Sequence, residues 1–295
     1  MNKVLVIANP MSGVTTFDKA ISSVIKYFNS YDVEYTLIKT EYAGHATVLL
    51  KNENLNMFNS VCAMGGDGTL FEVLNGMLSR TENERIPISV IPNGTGNSFM
   101  KTINISEFEG AIKKISLGNS KKIDVMKASC GSESFFSLNL IGWGMATDIS
   151  VLAERLRFFG GQRYNVASFF EIIKNKRRYA KLTVDGVERE DNFAFIIACN
   201  TKYVGKDMKM APDALINDGL IDLIIVKKAS SIMLFSVFPK LFDGSHVKHD
   251  ACEYVQCNSF AIDPIIEGSL NIDGEIIGTS PVSVELIKGG VELII

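Results

Sequence analysis

Asp67 is the carboxylate whose setting best fits chemistry. It stands in Met64-Gly65-Gly66-Asp67-Gly68-Thr69, after an apolar run from Val61 to Met64 and before a helix-like run carrying Leu70, Val73, Leu74 and Met77. Three glycines let a backbone turn tightly and approach something bulky and anionic, and a helix N-terminus beyond them adds favourable amide dipoles. Asp67 has no apolar neighbour in this stretch to bury it. Ile91-Pro92-Asn93-Gly94-Thr95-Gly96-Asn97 is a second such turn, and Asn9-Pro10-Met11-Ser12-Gly13 a weaker third. A lone Gly-x-Gly says little, but three turns at successive strand ends reinforce one another. They are expected to cradle the phosphates of a nucleotide, with Asp67 at the centre of a phosphoryl transfer. The bland alternative, a strand-to-helix connection, needs one glycine and not three. No Gly-x-x-x-x-Gly-Lys-Ser/Thr occurs, which excludes a P-loop kinase.

The elements that must hold these turns alternate. Val4–Ala8 is a continuous apolar run, as in a strand buried on both faces of a parallel sheet. From Thr16 a helix is predicted, with Phe17, Ala20, Ile21, Val24, Ile25 and Phe28 on one face. Val33–Lys39, Val61–Met64 and Ile88–Ile91 read as further strands, and helices are predicted around residues 46–52 and 69–78. This alternation predicts a doubly wound parallel sheet, in which ligands sit beyond the carboxyl ends of the strands. All the glycine turns fall there. After Lys121 the pattern becomes mostly strands, including 134–140, 181–184, 193–200, 220–226, 254–262, 269–272, 282–287 and 291–295, with a helical stretch near 148–176. Asp185-Gly186 and Asp273-Gly274 are hairpin dipeptides. The expected organisation is an α/β domain over residues 1–122 and an antiparallel, β-rich, sandwich-like domain over 123–295.

Composition bounds the rest. With 295 residues, 46% hydrophobic, 21% charged and a net charge of −3, the chain has room for two ordinary globular cores. A mildly acidic balance argues against nucleic acid as a partner. Phosphate binding must then come from local amide nests and single arginines. The five scattered cysteines predict free thiols in a reducing compartment, not a disulfide framework. The first strand follows one lysine, so no secretory leader is expected. No apolar run approaches the ~18 residues that span a bilayer, so a cytoplasmic chain with at most peripheral membrane contact is expected.

Asn9-Pro-Met-Ser-Gly13, Gly65-Gly-Asp-Gly-Thr69 and Pro92-Asn-Gly-Thr-Gly-Asn97 together resemble the diacylglycerol kinase catalytic-domain superfamily of lipid kinases. Ala211-Pro212-x-Ala214, Asp218-Gly219-x-x-Asp222 and Asn271-Ile-Asp-Gly-Glu275 extend the likeness in order along the chain. The resemblance implies ATP-dependent transfer to a lipid hydroxyl, with Mg²⁺ and with nucleotide in the cleft between the two domains. It assigns nucleotide contacts to Asn9, Ser12, Gly13, Gly65, Gly66, Gly68, Thr69, Gly94, Thr95 and Gly96, with Thr40 and Glu72 on the adenosine side and Gly274 closing the site. It makes Asp67 the candidate base and Glu275 its competitor. Asp218 and Asp222 would hold a structural Mg²⁺. Trp143-Gly144-Met-Ala-Thr-Asp148, then Glu154-Arg155-Leu-Arg157 and Arg163-Tyr164, is similar to the sphingosine and ceramide kinase branch. There the two arginines bind ATP phosphates, so Arg157 and Arg163 inherit that role; a solvated helix face is the alternative. Asp148 and the position of Ser150 would meet the lipid headgroup, and His246 would line the lipid pocket. Sphingosine kinases carry an acid where this chain has Ser150, so ceramide or diacylglycerol gain ground as alternatives to the sphingoid base or related sphingolipid that the branch implies and that is the acceptor expected here.

NAD kinase shares the Gly-Gly-Asp-Gly-Thr turn, but residues 92–97 and 143–163 stand against it. A non-catalytic sensing module would need a damaged site, and none is visible. His246, His249, Cys252 and Cys257 have zinc-ligand types, yet two cysteines five apart on a strand face opposite sides. Lys174-x-Lys176-Arg177-Arg178 reads as a solvated helix end or a contact for anionic headgroups. Residues 232–242 are apolar on more than one face, as core or as the wall of an acyl pocket. The partners expected are a long-chain lipid, a transient membrane surface and a possible second copy of the chain.

Overall fold

The computed structural model describes residues 2–13, 16–94, 97–205 and 208–295. They form two compact units, Met1–Val125 with Lys288–Ile295, and Met126–Ile287. The division lies three residues beyond the boundary expected at 122/123, and the last eight residues return to the first unit. That return was not legible in the sequence.

In the first unit β1 (Asn2–Ala8), β2 (Val33–Lys39), β3 (Ser60–Gly65) and β4 (Ile88–Pro92) are parallel in the order β4-β3-β1-β2. Every residue of β3 and β4 is buried, which is why these runs are continuously apolar and not alternating. Helices α1 (Phe17–Ser30), α2 (His45–Asn52) and α3 (Asp67–Leu78) cross between the strands. α1 buries Ala20, Val24 and Phe28, one stripe at four-residue spacing. α2 and α3 pack closely because Gly76 has no side chain: a Cβ there would lie 2.8 Å from Leu50 Cβ. α4 (Ser98–Thr102) and α5 (Phe108–Leu117) complete the set. The chain end adds a parallel bridge, Leu293 beside Ile88, and the Gly289 N–H donates to Asp124 Oδ1 at 2.7 Å.

The second unit is antiparallel. β5 (Ser120–Cys130) enters it and pairs with β6 (Glu133–Ser137); β7 (Leu140–Gly144) is followed by α6 (Met145–Arg155) and α7 (Arg163–Lys174). β8 (Arg178–Val184) pairs with the first half of β9 (Val187–Cys199), whose second half lies between β7 and β10 (Ile221–Lys227). After α8 (Ser231–Val237) come β11 (Cys252–Cys257), β12 (Ser259–Pro264), β13 (Ser269–Ile272), β14 (Glu275–Thr279) and β15 (Val282–Ile294). Both Asp-Gly hairpins form, with positive φ at Asp185, Gly186, Asp273 and Gly274.

Two strand readings are corrected by carboxylates. Residues 254–262 are two strands because Asp185 Oδ1 accepts the N–H groups of Asn258 and Ser259, at 3.0 and 2.9 Å. Residues 134–140 break after Ser137 because Asp273 takes the next three N–H groups. Conversely, the two strands expected at 282–287 and 291–295 are one, Val282–Ile294, with Gly289 at φ +58 inside it.

Gly144 ends β7 at φ +87, and a Cβ there would lie 2.7 Å from the Ala194 carbonyl oxygen. We predict that Gly144→Ala costs about 2 kcal/mol or more, from strain plus backbone overlap. Urea unfolding followed by Trp143, the single tryptophan and 1% exposed, measures it; an unchanged midpoint refutes it.

Candidate active site

The three glycine turns meet at the carboxyl ends of β1, β3 and β4. After β1, Asn9 folds its own turn: its side-chain oxygen accepts the Met11 N–H at 2.9 Å and its carbonyl accepts the Ser12 hydroxyl at 2.8 Å. Gly13 follows at φ +108, where a Cβ would lie 2.8 Å from the Asn93 carbonyl oxygen. Asn93 in turn donates from Nδ2 to the Ser12 carbonyl at 3.2 Å and from its N–H to the Gly65 carbonyl at 2.8 Å. A Cβ on Gly94 would overlap the Gly66 Cα. Backbone therefore lies directly against backbone, and only glycine fits. Asn97 closes the third turn, exchanging bonds with Gly94. Thr95 and Gly96 lie outside the described residues.

No side chain caps the N-terminus of α3, whose first residues are Asp67, Gly68 and Thr69. The buried Thr69 hydroxyl has no hydrogen-bond partner. An uncapped helix start behind a glycine turn fits a phosphate group well. Asp67 itself is not the exposed carboxylate expected. It is half-buried, and its oxygens accept the N–H groups of Ser98 and Phe99, at 2.9 and 3.3 Å, at the start of α4. Burial raises its pKa above the usual carboxylate value, against the lowering effect of those bonds.

Thr40 is buried at the end of β2, its N–H on the Ala8 carbonyl at 2.9 Å, beside the first turn. Glu72 has a structural task in this structure. Its two oxygens accept the N–H groups of Gly44 and Ala46, at 2.7 and 3.1 Å, and so cap α2.

The second unit holds the remaining candidates. Gly274 and Glu275 sit on the β13–β14 turn, where Glu275 is exposed and the Gly274 N–H donates to Asn271 Oδ1 at 2.9 Å. Asn271 Nδ2 donates to the Ser150 hydroxyl at 2.8 Å, so one asparagine joins α6 to the Glu275 turn. Arg157 and Arg163 converge on Glu154: Arg157 Nε lies 2.7 Å and Arg163 Nη1 3.3 Å from its carboxylate. Such exposed pairs are weak, so an incoming phosphate can compete for both guanidiniums.

Asp148 and Ser150 face different neighbours: two residues apart on α6, they point about 200° from each other. Ser150 faces β13, whereas Asp148 pairs with Arg178 on β8 and lies 3.8 Å from Lys176. His246, expected to line the lipid pocket, is fully buried, with Nε2 2.9 Å from the Met210 carbonyl and Nδ1 3.3 Å from that of Lys240. Among the described residues no three His, Cys, Asp or Glu side chains could hold one metal ion. This leaves Asp218 and Asp222 as a pair. Asp222 is fully buried, accepts from Tyr254 and Gln256, and keeps one oxygen, Oδ2, without a partner. Burial raises its pKa, and the charges of Asp218 and Asp213 add to this. An orphaned buried oxygen near other carboxylates fits a Mg²⁺ ion that keeps most of its waters.

Residues 3–128 match the diacylglycerol kinase catalytic domain, and residues 139–295 match the YegS C-terminal NAD kinase beta sandwich-like domain. The chain belongs to the diacylglycerol kinase catalytic-domain superfamily. A diacylglycerol kinase of Bacillus subtilis is 29% identical, covering 95% of this chain and 92% of its own. Sphingosine kinase 1 of Arabidopsis thaliana is 25% identical over 93% of this chain and 68% of its own. A crystal structure of a diacylglycerol kinase from Bacillus anthracis superposes with a TM-score of 0.82 at 25% identity, covering 99% of this chain and 96% of that one. Its relatives make this chain a lipid kinase, and the kinase family implies ATP as co-substrate. No helix among the described residues is long and apolar enough to cross a membrane.

The tasks of Asn271 and Asp273 were not legible in the sequence, although both lie inside the motif that contains Glu275. Asp273 is buried and accepts Ser137 Oγ at 2.6 Å and the N–H groups of Leu138, Asn139 and Leu140 at 2.8–2.9 Å. Burial nevertheless pushes its pKa up to about 6. A folded-state pKa above the unfolded value means that ionisation opposes folding, so stability falls as pH rises from about 4 to about 6. The effect is on the order of 3 kcal/mol. Urea midpoints followed by Trp143 should show this slope in the native chain and lose it in Asp273→Asn; parallel pH profiles would exclude it.

Proposed function

We propose that the chain transfers the γ-phosphoryl group of ATP to a hydroxyl of a neutral long-chain lipid of the diacylglycerol or ceramide kind. The observation that carries the choice of lipid is on α6. A sphingoid base brings an ammonium group, which calls for an unpaired carboxylate. The residue that faces β13 is Ser150, a hydroxyl bonded to Asn271, and the nearby Asp148 is turned away and paired with Arg178. A hydroxyl and an amide suit a neutral headgroup. The similarity to plant sphingosine kinases supports a sphingoid base as the second reading.

The glycine turns of the first unit supply amide groups and the α3 dipole to the phosphates, and Arg157 and Arg163 supply guanidinium charge. Phosphoryl transfer asks chiefly for positioning and charge stabilisation. Asp67 takes the proton of the attacking hydroxyl. Its hydrogen bonds from the Ser98 and Phe99 N–H groups and the Ser98 side chain fix the carboxylate, and its raised pKa makes it a better acceptor than an exposed aspartate. Glu275, exposed on its turn, is the competing base. A Mg²⁺ ion at Asp218 and Asp222 would neutralise the orphaned Asp222 oxygen and stabilise that segment.

Asp67→Asn keeps an oxygen for the Ser98 N–H but cannot take a proton. Turnover should fall about 10²-fold or more with ATP binding retained. Near-normal turnover, with Glu275→Gln inactive instead, would transfer the role. An ATP-dependent screen of sphingosine, ceramide, diacylglycerol and monoacylglycerol, read by lipid mass spectrometry, should label the neutral lipids. Ser150→Asp should raise sphingosine labelling. Labelling of sphingosine alone by the native chain would reject the neutral-lipid reading.

A further inference from the structure

One carboxylate in the second unit holds both of the arginines to which phosphate binding is ascribed. Glu154 lies near the end of α6, Arg157 opens the 3₁₀ segment Arg157–Gln162, and Arg163 opens α7. Between the two arginines the chain turns at Gly160, whose φ of +54 and ψ of −128 suit a residue without a Cβ. Both guanidiniums thereby reach one acid. Glu154 Oε1 lies 3.3 Å from Arg163 Nη1, while Oε2 accepts Nε of Arg157 at 2.7 Å and its Nη2 as well. Each carboxylate oxygen serves one arginine.

This is the arrangement of an anion site that is already filled. A guanidinium holds a phosphate most firmly through two parallel N–H groups on one edge. In Arg157 the Nε–Nη2 edge offers such a pair, and the Glu154 carboxylate occupies it. Arg163 has a second support that does not depend on Glu154: its Cζ lies 5.1 Å from the Tyr164 ring centroid. Exposure makes an exchange easy. The side chains of Arg157 and Glu154 are 73% and 40% exposed, and ion pairs in such settings are weak. A carboxylate left facing a bound polyphosphate would be repelled by it, so one anion excludes the other.

We propose that Glu154 is an internal competitor of the nucleotide. It fills the guanidinium positions of Arg157 and Arg163 while the site is empty, yields them to the phosphates of ATP, and takes them back when the nucleotide leaves. It thereby sets how tightly the polyphosphate is held, opposing entry and favouring release. The inference rests on the reading that these two arginines hold ATP phosphates, and on nothing about the lipid acceptor. A merely structural role would make the loss of Glu154 neutral or harmful to nucleotide binding; the loss of a competitor tightens it.

Equilibrium dialysis of the full chain against labelled ATP tests this without a lipid, at low ionic strength where exposed charges are least screened. Glu154→Gln keeps the size of the side chain and removes its charge, and its urea midpoint followed by Trp143 reports that the fold is intact. ATP should bind this variant about three- to tenfold more tightly, the range expected when two exposed ion pairs no longer compete. Glu285→Gln, which removes an exposed acid paired with Lys127, should stay within about twofold of the native chain. Arg157→Gln with Arg163→Gln should weaken binding. Adding Glu154→Gln to that pair should then change nothing, because the carboxylate acts through the two guanidiniums. Unchanged or weaker binding by Glu154→Gln, with the arginine variant impaired, would overturn the proposal and leave the phosphate role of the arginines standing. Equal tightening in the arginine background would overturn it too, since the acid would then act as a general like charge. Native-like ATP binding by the arginine variant would reject the phosphate role itself, and the proposal with it.

Discussion

Backbone against backbone is the constraint on which the glycine turns of the first unit depend. Gly94 lies so close to Gly66 that a Cβ on it would fall 2.4 Å from the Gly66 Cα, and a Cβ on Gly13 would fall 2.8 Å from the Asn93 carbonyl oxygen. Three loops separated by many residues can then present their amide groups to one anion. The parallel sheet makes this possible, because β1, β3 and β4 end side by side and fix where each loop begins. The asparagines of the loops lock the arrangement, since Asn9, Asn93 and Asn97 each satisfy a backbone group that a tight turn would leave unpaired.

Carboxylates do the corresponding work elsewhere. Asp67 holds the start of α4, Glu72 the start of α2, Asp185 the break between β11 and β12, and Asp273 the loop from Ser137 to Leu140. In each case one acid collects N–H groups that the local backbone cannot pair. A charged acceptor bonds these more strongly than a neutral one, and the segment it gathers becomes rigid. Asp67 carries the double consequence. The bonds that staple α4 also orient the carboxylate proposed to take the proton, so positioning and chemistry are not separable at this residue.

In the second unit, helical phase decides what α6 shows to each neighbour. Asp148 and Ser150 belong to one short motif, yet one turns to the Arg178 strand and the other to Asn271. The same asparagine holds the turn bearing Glu275, so Ser150 and that turn share one support. The apolar and basic residues of α7 and α8 take no part in this network.

The sequence alone determined the alternating plan, the glycine turns, the hairpin dipeptides and the family, because each depends on residues adjacent along the chain. Buried parallel strands require unbroken apolar runs, tight loops require glycine, and Asp-Gly suits the left-handed turn. Contacts between distant residues were not legible in it. The bonds from Asp67 to Ser98, Glu72 to Gly44, Asp273 to Leu138 and Asn271 to Ser150, and the return of residues 288–295 to the first unit, exist only once the chain has folded. A local pattern records which side chains an element must bury or turn upon; it carries no record of which remote backbone group will arrive beside them.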